Sequence, residues 1–323
     1  MKAIRIAKTG GPEVLALEDI ALPPPAPGQV RIRHSVIGVN FIDTYQRSGL
    51  YPVMLPSGLG LEAAGIVETL GEGVTALKQG DRVGYCSGPL GAYAEANNVP
   101  ADRVVKLPAG VSEEAAAASM LKGMTAQYLL KRTFPVRPGQ TILFHSAAGG
   151  VGLIAAQWAK ALGATVIGTV GSDDKIPLAK ANGCDHVLNL RTEDWVARVR
   201  ALTNGEGVPV VYDSVGKDTF SGSLDCLSVR GTMVSFGNSS GAVPAFEPGI
   251  LSLKGSLYLT RPTLFHYTRT PQELQETADD LFAVIASGAV KIAVNQRFAL
   301  ADARAAHEAL HSRKTTGATV LIP

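Results

Sequence analysis

Hydrophobic and polar positions between residues 141 and 236 alternate between two periods. Short runs rich in β-branched and other apolar residues recur, and each is followed by a stretch in which apolar residues return every three or four positions. The apolar runs predict five strands, at 141–144, 166–170, 186–189, 208–212 and 232–236. Strands that alternate with amphipathic helices at this spacing are typical of a parallel sheet covered on both faces. This part of the chain therefore predicts an α/β fold with a doubly wound sheet.

A glycine-rich turn, HSAAGGVG at 145–152, separates the first of these strands from a helical pattern. Strand, glycine turn and helix form the layout that places a pyrophosphate at a helix N-terminus, where free N–H groups and the helix dipole favour negative charge. In the pattern GxGxxG the first position is Ala147, and Gly149 and Gly152 hold the second and third. Gly149 would let the backbone approach the phosphates, and Gly152 would let the helix pack against the sheet. We therefore expect a Rossmann domain that binds a dinucleotide.

The tip of the second strand indicates which dinucleotide. An NAD enzyme places Asp or Glu there to accept hydrogen bonds from the ribose hydroxyls. Here Gly171 and Ser172 occupy the tip and Lys175 follows. A small residue, a hydroxyl and an ammonium suit a 2′-phosphate, so NADP (NADPH) is predicted. Asp173 and Asp174 argue for NAD if either faces the ribose, but they also fit the first turn of a helix, where acids stabilise the dipole.

The N-terminal third has a different pattern. From about residue 3 to 103, short runs with period two are interrupted by Gly and Pro, which is typical of a small, barrel-like β fold. A length of 323 residues also favours two domains. We expect a first domain at 1–122, completed by the C-terminal elements at 263–323, and a Rossmann domain at 123–262.

Composition excludes several classes of function. The net charge is +2, and no stretch combines dense Lys/Arg with aromatic residues, so nucleic-acid binding is not expected. No apolar run reaches the ~20 residues that span a membrane. The start of the chain alternates like a strand and lacks the apolar block of a signal peptide, which predicts a cytoplasmic protein. The three cysteines have no CxxC spacing, so neither a zinc ribbon nor a disulfide framework is expected.

Ordered motifs run along the whole chain: GGPEVL, GVNFIDTYQRSGLYP, GLGLEAAGIV, GDRV, LKGMTAQYLL, HSAAGGVGLIAAQWAKALGA, YDSVG, VSFGNSSG and GSLYLTRP. Together they resemble the medium-chain dehydrogenase/reductase family, and specifically its NADPH:quinone reductase (ζ-crystallin-like) branch. The resemblance implies that the first domain is GroES-like and that the activity is hydride transfer from NADPH to a quinone. It leaves two alternatives: an enoyl or alkenal double-bond reductase, and a structural or RNA-binding protein of the ζ-crystallin type.

The resemblance also implies that this chain is independent of zinc. Zinc-dependent relatives have Cys at the position of Asn40, His at that of Leu61 and a further ligand near Lys122. These residues cannot form a tetrahedral Cys/His site, and Glu62 alone does not hold a catalytic zinc. No metal is therefore expected. Hydride transfer without a metal suits a quinone or an activated alkene better than an alcohol, whose hydroxyl must be activated.

Candidate site residues follow from the same resemblance. In this family the segment 40–51 lines the nicotinamide cleft. Asn40 is expected to donate to the acceptor carbonyl or the cofactor ribose. Tyr45 and Tyr51 are expected to pack on the acceptor or to donate a proton, unless they are packing groups only. Further cofactor contacts are expected from Thr125, Gly150, Val151, Phe236, Gly237, Arg261 and Arg313. Where many relatives have a Tyr near the adenosine, this chain has Leu190, which is expected to loosen NADP affinity or selectivity.

Two further expectations concern assembly and histidines. The predicted strand at 256–260 ends the Rossmann sheet, and in this family that edge pairs with its two-fold mate, so a homodimer is expected. His307 and His311 are spaced i, i+4 but lack a third ligand, which favours an exposed helix face over a metal site. His145, at the end of a strand, is expected to be structural.

Overall fold

The computed structural model describes residues 1–323, which form two compact units. The first contains 1–122, 268–286 and 292–323, and the second contains 123–267 and 287–291. The second unit is larger than the sequence analysis expected, because it includes 263–267 and 287–291. Two contacts explain the difference: the Tyr267 ring stacks on Tyr128 with centroids 4.5 Å apart, and the backbone of Lys291 bonds the side chain of Gln157.

Sixteen strands and ten helices make up the chain. The strands are β1 Lys2–Ile6, β2 Ala16–Asp19, β3 Gln29–Val39, β4 Ser57–Gly58, β5 Glu62–Leu70, β6 Arg82–Tyr85, β7 Ala96–Pro100, β8 Val105–Lys106, β9 Thr141–Phe144, β10 Thr165–Val170, β11 His186–Asn189, β12 Val208–Asp213, β13 Leu227–Ser235, β14 Tyr258–Thr260, β15 Val294–Ala299 and β16 Ala318–Ile322. The helices are α1 Phe41–Ser48, α2 Glu113–Tyr128, α3 Gly150–Ala161, α4 Ile176–Ala181, α5 Trp195–Leu202, α6 Phe220–Asp225, α7 Gly249–Leu253, α8 Leu264–Tyr267, α9 Pro271–Ala286 and α10 Ala303–His311.

The first unit is built on β-sheet, as the period-two pattern predicts. A seven-stranded sheet has the order β15-β16-β3-β5-β6-β8, with β7 also paired to β3, and a three-stranded sheet has the order β2-β1-β4. The long strand β3 pairs with β5, β7 and β16. Its buried face contributes Val30, Ile32 and Ile37 to an apolar core. The C-terminal strands therefore complete the sheet that the N-terminal part begins.

The second unit contains one six-stranded sheet, with the order β11-β10-β9-β12-β13-β14, and every neighbouring pair is parallel. This is the strand order of a Rossmann fold. Its core includes Leu143, Ile167 and Val211 from three adjacent strands. Since all strands run in the same direction, their carboxyl ends lie along one edge, where ligands of such sheets bind.

Two elements differ from the sequence prediction. The last strand of the Rossmann sheet begins at Tyr258, because Ser256 has a φ of 55° and cannot continue a strand. The sequence pattern over 192–202 predicts a helix that begins at residue 192, but α5 begins at Trp195, since the Asp194 carboxylate accepts a hydrogen bond from the N–H of Ala197 at 3.0 Å and caps the helix. None of the helices is long and apolar enough to cross a membrane.

Candidate active site

The glycine turn leads directly from β9 into α3. Gly149 is the N-cap of α3, and Gly150 and Val151 begin its first turn, so the backbone N–H groups of these two residues have no partner within the helix. Gly152 packs against the turn: a Cβ there would lie 2.3 Å from the carbonyl oxygen of Ser146. Close approach of helix and strand therefore requires glycine at the third motif position.

Ala147, at the first motif position, is accommodated by the neighbouring strand. A Cβ on Gly168 of β10 would lie 2.7 Å from the Cβ of Ala147. Glycine at position 168 therefore makes room for the methyl group of Ala147, which stands where the motif has glycine. The N–H of Ala147 donates to the carbonyl of Thr169 at 2.9 Å, which ties the turn to β10. The imperfect motif thus still forms a close strand–turn–helix unit.

The expected cofactor residues of the second unit follow the carboxyl ends of its strands. Gly171 and Ser172 come directly after β10, and Lys175 ends the short 3-10 helix that Ser172 caps. Phe236 and Gly237 come after β13, and Arg261 directly follows β14. The parallel sheet therefore brings these residues to one edge, together with the glycine turn. Thr125 lies in α2, partly buried, and Arg313 is an exposed residue after α10, in the first unit.

The tip of β10 carries Ser172 and Lys175, the residues predicted to bind a 2′-phosphate. Ser172 and Lys175 are partly buried. Burial lowers the pKa of Lys175, and the nearby Arg191 guanidinium lowers it further, while Asp174 opposes both. Asp173 accepts a hydrogen bond from the buried side chain of Asn189 at 2.7 Å, so this acid has a structural partner.

Arg261 organises the loop after β13. Its guanidinium donates to the carbonyl of Gly237 at 3.1 Å and to the hydroxyl of Ser235 at 3.3 Å. The Phe236 ring packs on Phe144, with centroids 5.7 Å apart, and so joins the tips of β13 and β9. Arg261 therefore holds Gly237 in place, and Phe236 is held by its contact with Phe144.

A buried polar network lies at the same edge, and sequence reasoning identified only His145 from it, as structural. The Asp213 carboxylate accepts hydrogen bonds from the N–H groups of Val215 and Gly216 at 2.7 and 3.0 Å, and from the hydroxyls of Thr219 and Ser223 at 2.7 and 2.8 Å. His145 joins this network through its Nε2, 2.9 Å from the Ser223 hydroxyl.

The other ring nitrogen of His145, Nδ1, lies 2.8 Å from the hydroxyl of Thr169. Burial lowers the pKa of His145, although the Asp213 carboxylate opposes this. These hydrogen bonds connect the tips of β9, β10 and β12. Because all of the side chains are buried, we interpret the network as structural and not as catalytic. The structural role expected for His145 fits these contacts.

In the first unit, Asn40 lies at the N-terminus of α1 and is 6% exposed. Its side-chain Nδ2 donates to Glu62 Oε2 at 2.8 Å. The same carboxylate oxygen accepts from Lys122 Nζ at 3.1 Å, and Glu62 Oε1 accepts from the N–H of Leu121 at 2.6 Å. We call Asn40, Glu62 and Lys122 the amide–ion cluster.

By the resemblance described above, Asn40 stands at a position where zinc-dependent relatives have a metal ligand, and Lys122 lies near another. An amide, an ammonium and a single carboxylate do not provide the His and thiolate donors that zinc prefers, and Leu61 offers no donor at all. The residues therefore do not fit a catalytic zinc, and Glu62 has its oxygens committed to three protein donors.

A second network anchors the same helix. Asp43 Oδ2 accepts from the N–H of Asn40 at 2.8 Å and from the hydroxyl of Tyr93 at 2.9 Å. Burial raises the pKa of Asp43 to about 7, although these hydrogen bonds and Lys122 oppose the shift. The Tyr93 hydroxyl also lies 3.0 Å from Nε2 of His307, whose Nδ1 accepts from Arg47 at 3.0 Å. The interpretation of His307 as part of an exposed helix face is therefore wrong; His311, one turn later, is exposed.

The expected aromatic pair lies on and after α1. The rings of Tyr45 and Tyr51 are edge-to-face, with centroids 5.3 Å apart, and the N–H of Tyr51 donates to the carbonyl of Tyr45 at 3.0 Å. Both are partly buried. Phe41 and Met54, nearby in the chain, are exposed, so this segment has an apolar surface.

Comparison with known proteins gives matches over the full chain. Residues 26–109 match the alcohol dehydrogenase GroES-like domain, and residues 150–283 match the zinc-binding dehydrogenase family. A quinone oxidoreductase of Pseudomonas aeruginosa is 56% identical over 323 residues, covering 100% of this chain and 99% of that protein. The protein belongs to the medium-chain dehydrogenase/reductase family. Its GroES-like and Rossmann domains confirm the predicted fold.

Two further relatives bear on the chemistry of this family member. The structure of Escherichia coli quinone oxidoreductase complexed with NADPH is 54% identical in sequence and has a TM-score of 0.99. The match covers 100% of this chain and 100% of that chain. A 2-haloacrylate reductase of Burkholderia sp. is 45% identical over 325 residues, with 98% of each chain covered. The family includes zinc-binding members, but the amide–ion cluster departs from their ligand set.

Proposed function

We propose that the protein is an NADPH-dependent quinone oxidoreductase that transfers hydride without a metal. The observation that carries this proposal is the amide–ion cluster, because its donors do not fit the zinc that would activate an alcohol and Glu62 already accepts from Asn40, Lys122 and Leu121. A quinone accepts hydride without such activation. The likeness to the Pseudomonas and Escherichia quinone oxidoreductases supports the same conclusion.

The second unit would hold the cofactor, which supplies the hydride. Gly150 and Val151 offer N–H groups at the start of a twelve-residue helix for the pyrophosphate, and Gly149, which has no side chain, lets it approach the backbone. Ser172 and Lys175 suit a 2′-phosphate, since a hydroxyl donates to it and an ammonium balances its charge. We assign further contacts to Gly171, Thr125, Phe236, Gly237, Arg261 and Arg313.

The first unit would hold the acceptor. The Asn40 amide has a second N–H besides the one bonded to Glu62, and this N–H would donate to the acceptor carbonyl or to the cofactor ribose. Tyr45 and Tyr51 would pack on the acceptor ring. The hydroquinone anion that forms takes its proton at oxygen, so water can supply it and no positioned acid is required.

A second candidate is reduction of an activated alkene, which the 2-haloacrylate reductase relative favours. Hydride addition to such a substrate leaves a carbanion-like carbon that must be protonated, and Tyr51 carries the hydroxyl that could do so. The two functions therefore make different demands on the same residue.

The Tyr51→Phe variant separates the two functions. For a quinone we expect turnover to fall severalfold at most, because the Phe ring retains the packing and only the hydroxyl is lost. For an enal or a haloacrylate, loss of a general acid costs roughly 10²–10⁴-fold. NADPH oxidation would be measured against ortho- and para-quinones, short enals and 2-haloacrylates, with Tyr45→Phe as the matched control. A quinone turnover that falls by two orders of magnitude with NADPH binding intact would reject the quinone assignment.

NADPH is expected to bind at least about tenfold more tightly than NADH, because a charge-assisted phosphate contact contributes roughly 1.5–3 kcal/mol. The Lys175→Ala variant should lose most of this difference, while Lys180→Ala, on the exposed face of α4, should keep it. Dissociation constants of both cofactors, measured by fluorescence titration, test the assignment. Equal wild-type affinities would contradict it.

A homodimer formed through β14 is part of this proposal. This strand is the edge of the six-stranded sheet, and Tyr258 is 62% exposed. Val229, in the neighbouring strand β13, and Leu253, at the end of the helix that precedes β14, are 73% and 87% exposed. An exposed strand edge with apolar neighbours suits pairing with a second copy. Light scattering at micromolar concentration should give the mass of a dimer; a monomer would contradict the pairing.

A further inference from the structure

The orientation of the Asn40 amide is fixed from one side by a charged acceptor. Glu62 Oε2 lies 2.8 Å from Nδ2 of Asn40, and a carboxylate can only accept hydrogen bonds. A half-turn of the amide group would leave the shape of the Asn40 side chain nearly unchanged but would place its oxygen against the carboxylate oxygen of Glu62. The two oxygens would repel each other, since both are acceptors. Only the orientation with nitrogen toward Glu62 is therefore favourable.

Glu62 itself cannot move away from this contact. It is fully buried, and Gly38, its register partner on β3, lies so close that a Cβ would be 2.1 Å from Glu62 Oε2 and 2.3 Å from the carbonyl of Ala117. The backbones of β3 and α2 thus enclose the carboxylate. Its second oxygen is held by the N–H of Leu121 at 2.6 Å.

Lys122 provides the charge that compensates Glu62. Its Nζ lies 3.1 Å from Oε2, and its side chain is 8% exposed while that of Glu62 is fully buried. A buried carboxylate without a cation is costly. Without Lys122, the oxygen that accepts from Asn40 Nδ2 would lose the partner that holds it in place, and the orientation of the amide would be less firmly set.

We propose that Glu62 and Lys122 are positioning residues for hydride transfer: they fix the Asn40 amide so that the group it offers to the acceptor or the ribose is an N–H. This inference rests on the proposed role of Asn40. It assigns to the buried ion pair of Glu62 and Lys122 the role of orienting Asn40.

The test is a set of substitutions that separates orientation from stability. Lys122→Met should lower kcat/KM for a quinone, or the affinity for NADPH, by about tenfold or more, because small misplacement of a contacting group has large effects. The double variant Glu62→Gln/Lys122→Met contains no unpaired charge and should regain the thermal midpoint. It should not regain the lost function, since the N–H of Leu121 would hold the glutamine oxygen and leave the glutamine nitrogen facing Asn40, which favours the rotated amide.

The same substitutions in an Asn40→Ala background complete the test. There Lys122→Met should change kcat/KM and the NADPH dissociation constant less than about twofold, because the residue through which it acts is gone. The control Arg297→Met removes an exposed ion pair with Glu114 and should have no effect in either background.

Three outcomes would overturn the inference: equal effects of Lys122→Met in both backgrounds, recovery of function together with stability in the double variant, or an Asn40→Ala variant that behaves like the wild type. Failure of the proposed function is a separate result, since it is seen as a wild type that reduces activated alkenes but no quinone. The comparison of backgrounds then applies to the alkene and to NADPH affinity with the same expected pattern. Should Lys122→Met not fold, the double variant carries the comparison.

Discussion

Two buried carboxylates, one in each unit, are stabilised in different ways. Asp213 accepts four hydrogen bonds from neutral donors that lie within ten residues of it in the chain. Glu62 accepts three, from donors 22, 59 and 60 residues away, and one of them is the ammonium of Lys122. Both side chains are fully buried.

The difference lies in how each set of partners can respond to change. A hydroxyl both donates and accepts, so Thr219 and Ser223 can rotate to suit a different partner. An ammonium only donates, so Lys122 cannot adapt to the loss of its carboxylate. We therefore expect the cluster around Glu62 to be much less tolerant of single substitutions than the network around Asp213.

The largest effect is expected for breaking the ion pair. Removing one member of a buried pair leaves an uncompensated charge and costs roughly 3–5 kcal/mol of unfolding free energy, so Glu62→Gln and Lys122→Met should each be strongly destabilised. The double variant should regain most of this loss. Urea unfolding measures it, and Arg304→Met, in an exposed pair with Glu308, should change stability by less than about 1 kcal/mol. Additive losses in the double variant would contradict the comparison.

A smaller effect is expected for Asp213→Asn. The Asn oxygen can still accept from Val215 and Gly216, and its nitrogen can donate to hydroxyls that have rotated, so the loss should be about 1–3 kcal/mol. The same urea experiment measures it, with the exposed Asp218→Asn as control. A loss as large as that of Lys122→Met would show that the two carboxylates are equally intolerant.

Asp43 sharpens the comparison, because it is a buried carboxyl whose nearest contacts are neutral and whose Oδ1 has no hydrogen-bond partner. Its pKa rises to about 7 from the usual 3.8. The folded state thus binds more protons than the unfolded state between these values, and the stability that Asp43 contributes falls as pH rises through this interval.

The Asp43→Asn variant should therefore gain stability relative to the wild type as pH rises from about 4 to about 7, and the difference should level off above about 7. His34 and His307, whose pKa values burial lowers to about 4 and about 3, contribute the opposite trend in both proteins. Urea unfolding of both proteins from pH 5 to 8 tests this; a difference that does not vary with pH would contradict the shift of Asp43.

The Rossmann half was predictable because its signals are local. Strand β9, the glycine turn and helix α3 follow each other directly, and the residues expected at the cofactor edge each follow a strand. Parallel pairing brings the strand ends to one edge whatever the details of the loops. Ala147 is the exception, since Gly168, which makes room for it, comes from another strand.

The amide–ion cluster could not be predicted as a structure, because Lys122 is 60 residues from Glu62 and their pairing depends on the packing of α2. Sequence resemblance related Asn40 and Lys122 to the zinc-ligand positions but did not show that both donate to Glu62. The environment of His307 was mispredicted for the same reason: its partners Tyr93 and Arg47 are 214 and 260 residues away.

The hydrogen bonds from Thr169 through His145 and Ser223 to Asp213, at the tips of β10, β9 and β12, all run in one direction. Ser223 donates to Asp213, so it must accept from His145, whose proton is therefore on Nε2. Nδ1 then accepts from the Thr169 hydroxyl. Asp213 thus sets the tautomer of His145, which is two hydrogen bonds away. The side-chain dipoles of Thr169, His145 and Ser223 all point across the sheet toward Asp213. In an Asp213→Asn variant the asparagine nitrogen would donate to Ser223, so the direction of these hydrogen bonds would reverse. The proton of His145 would then move to Nδ1 without any change of backbone.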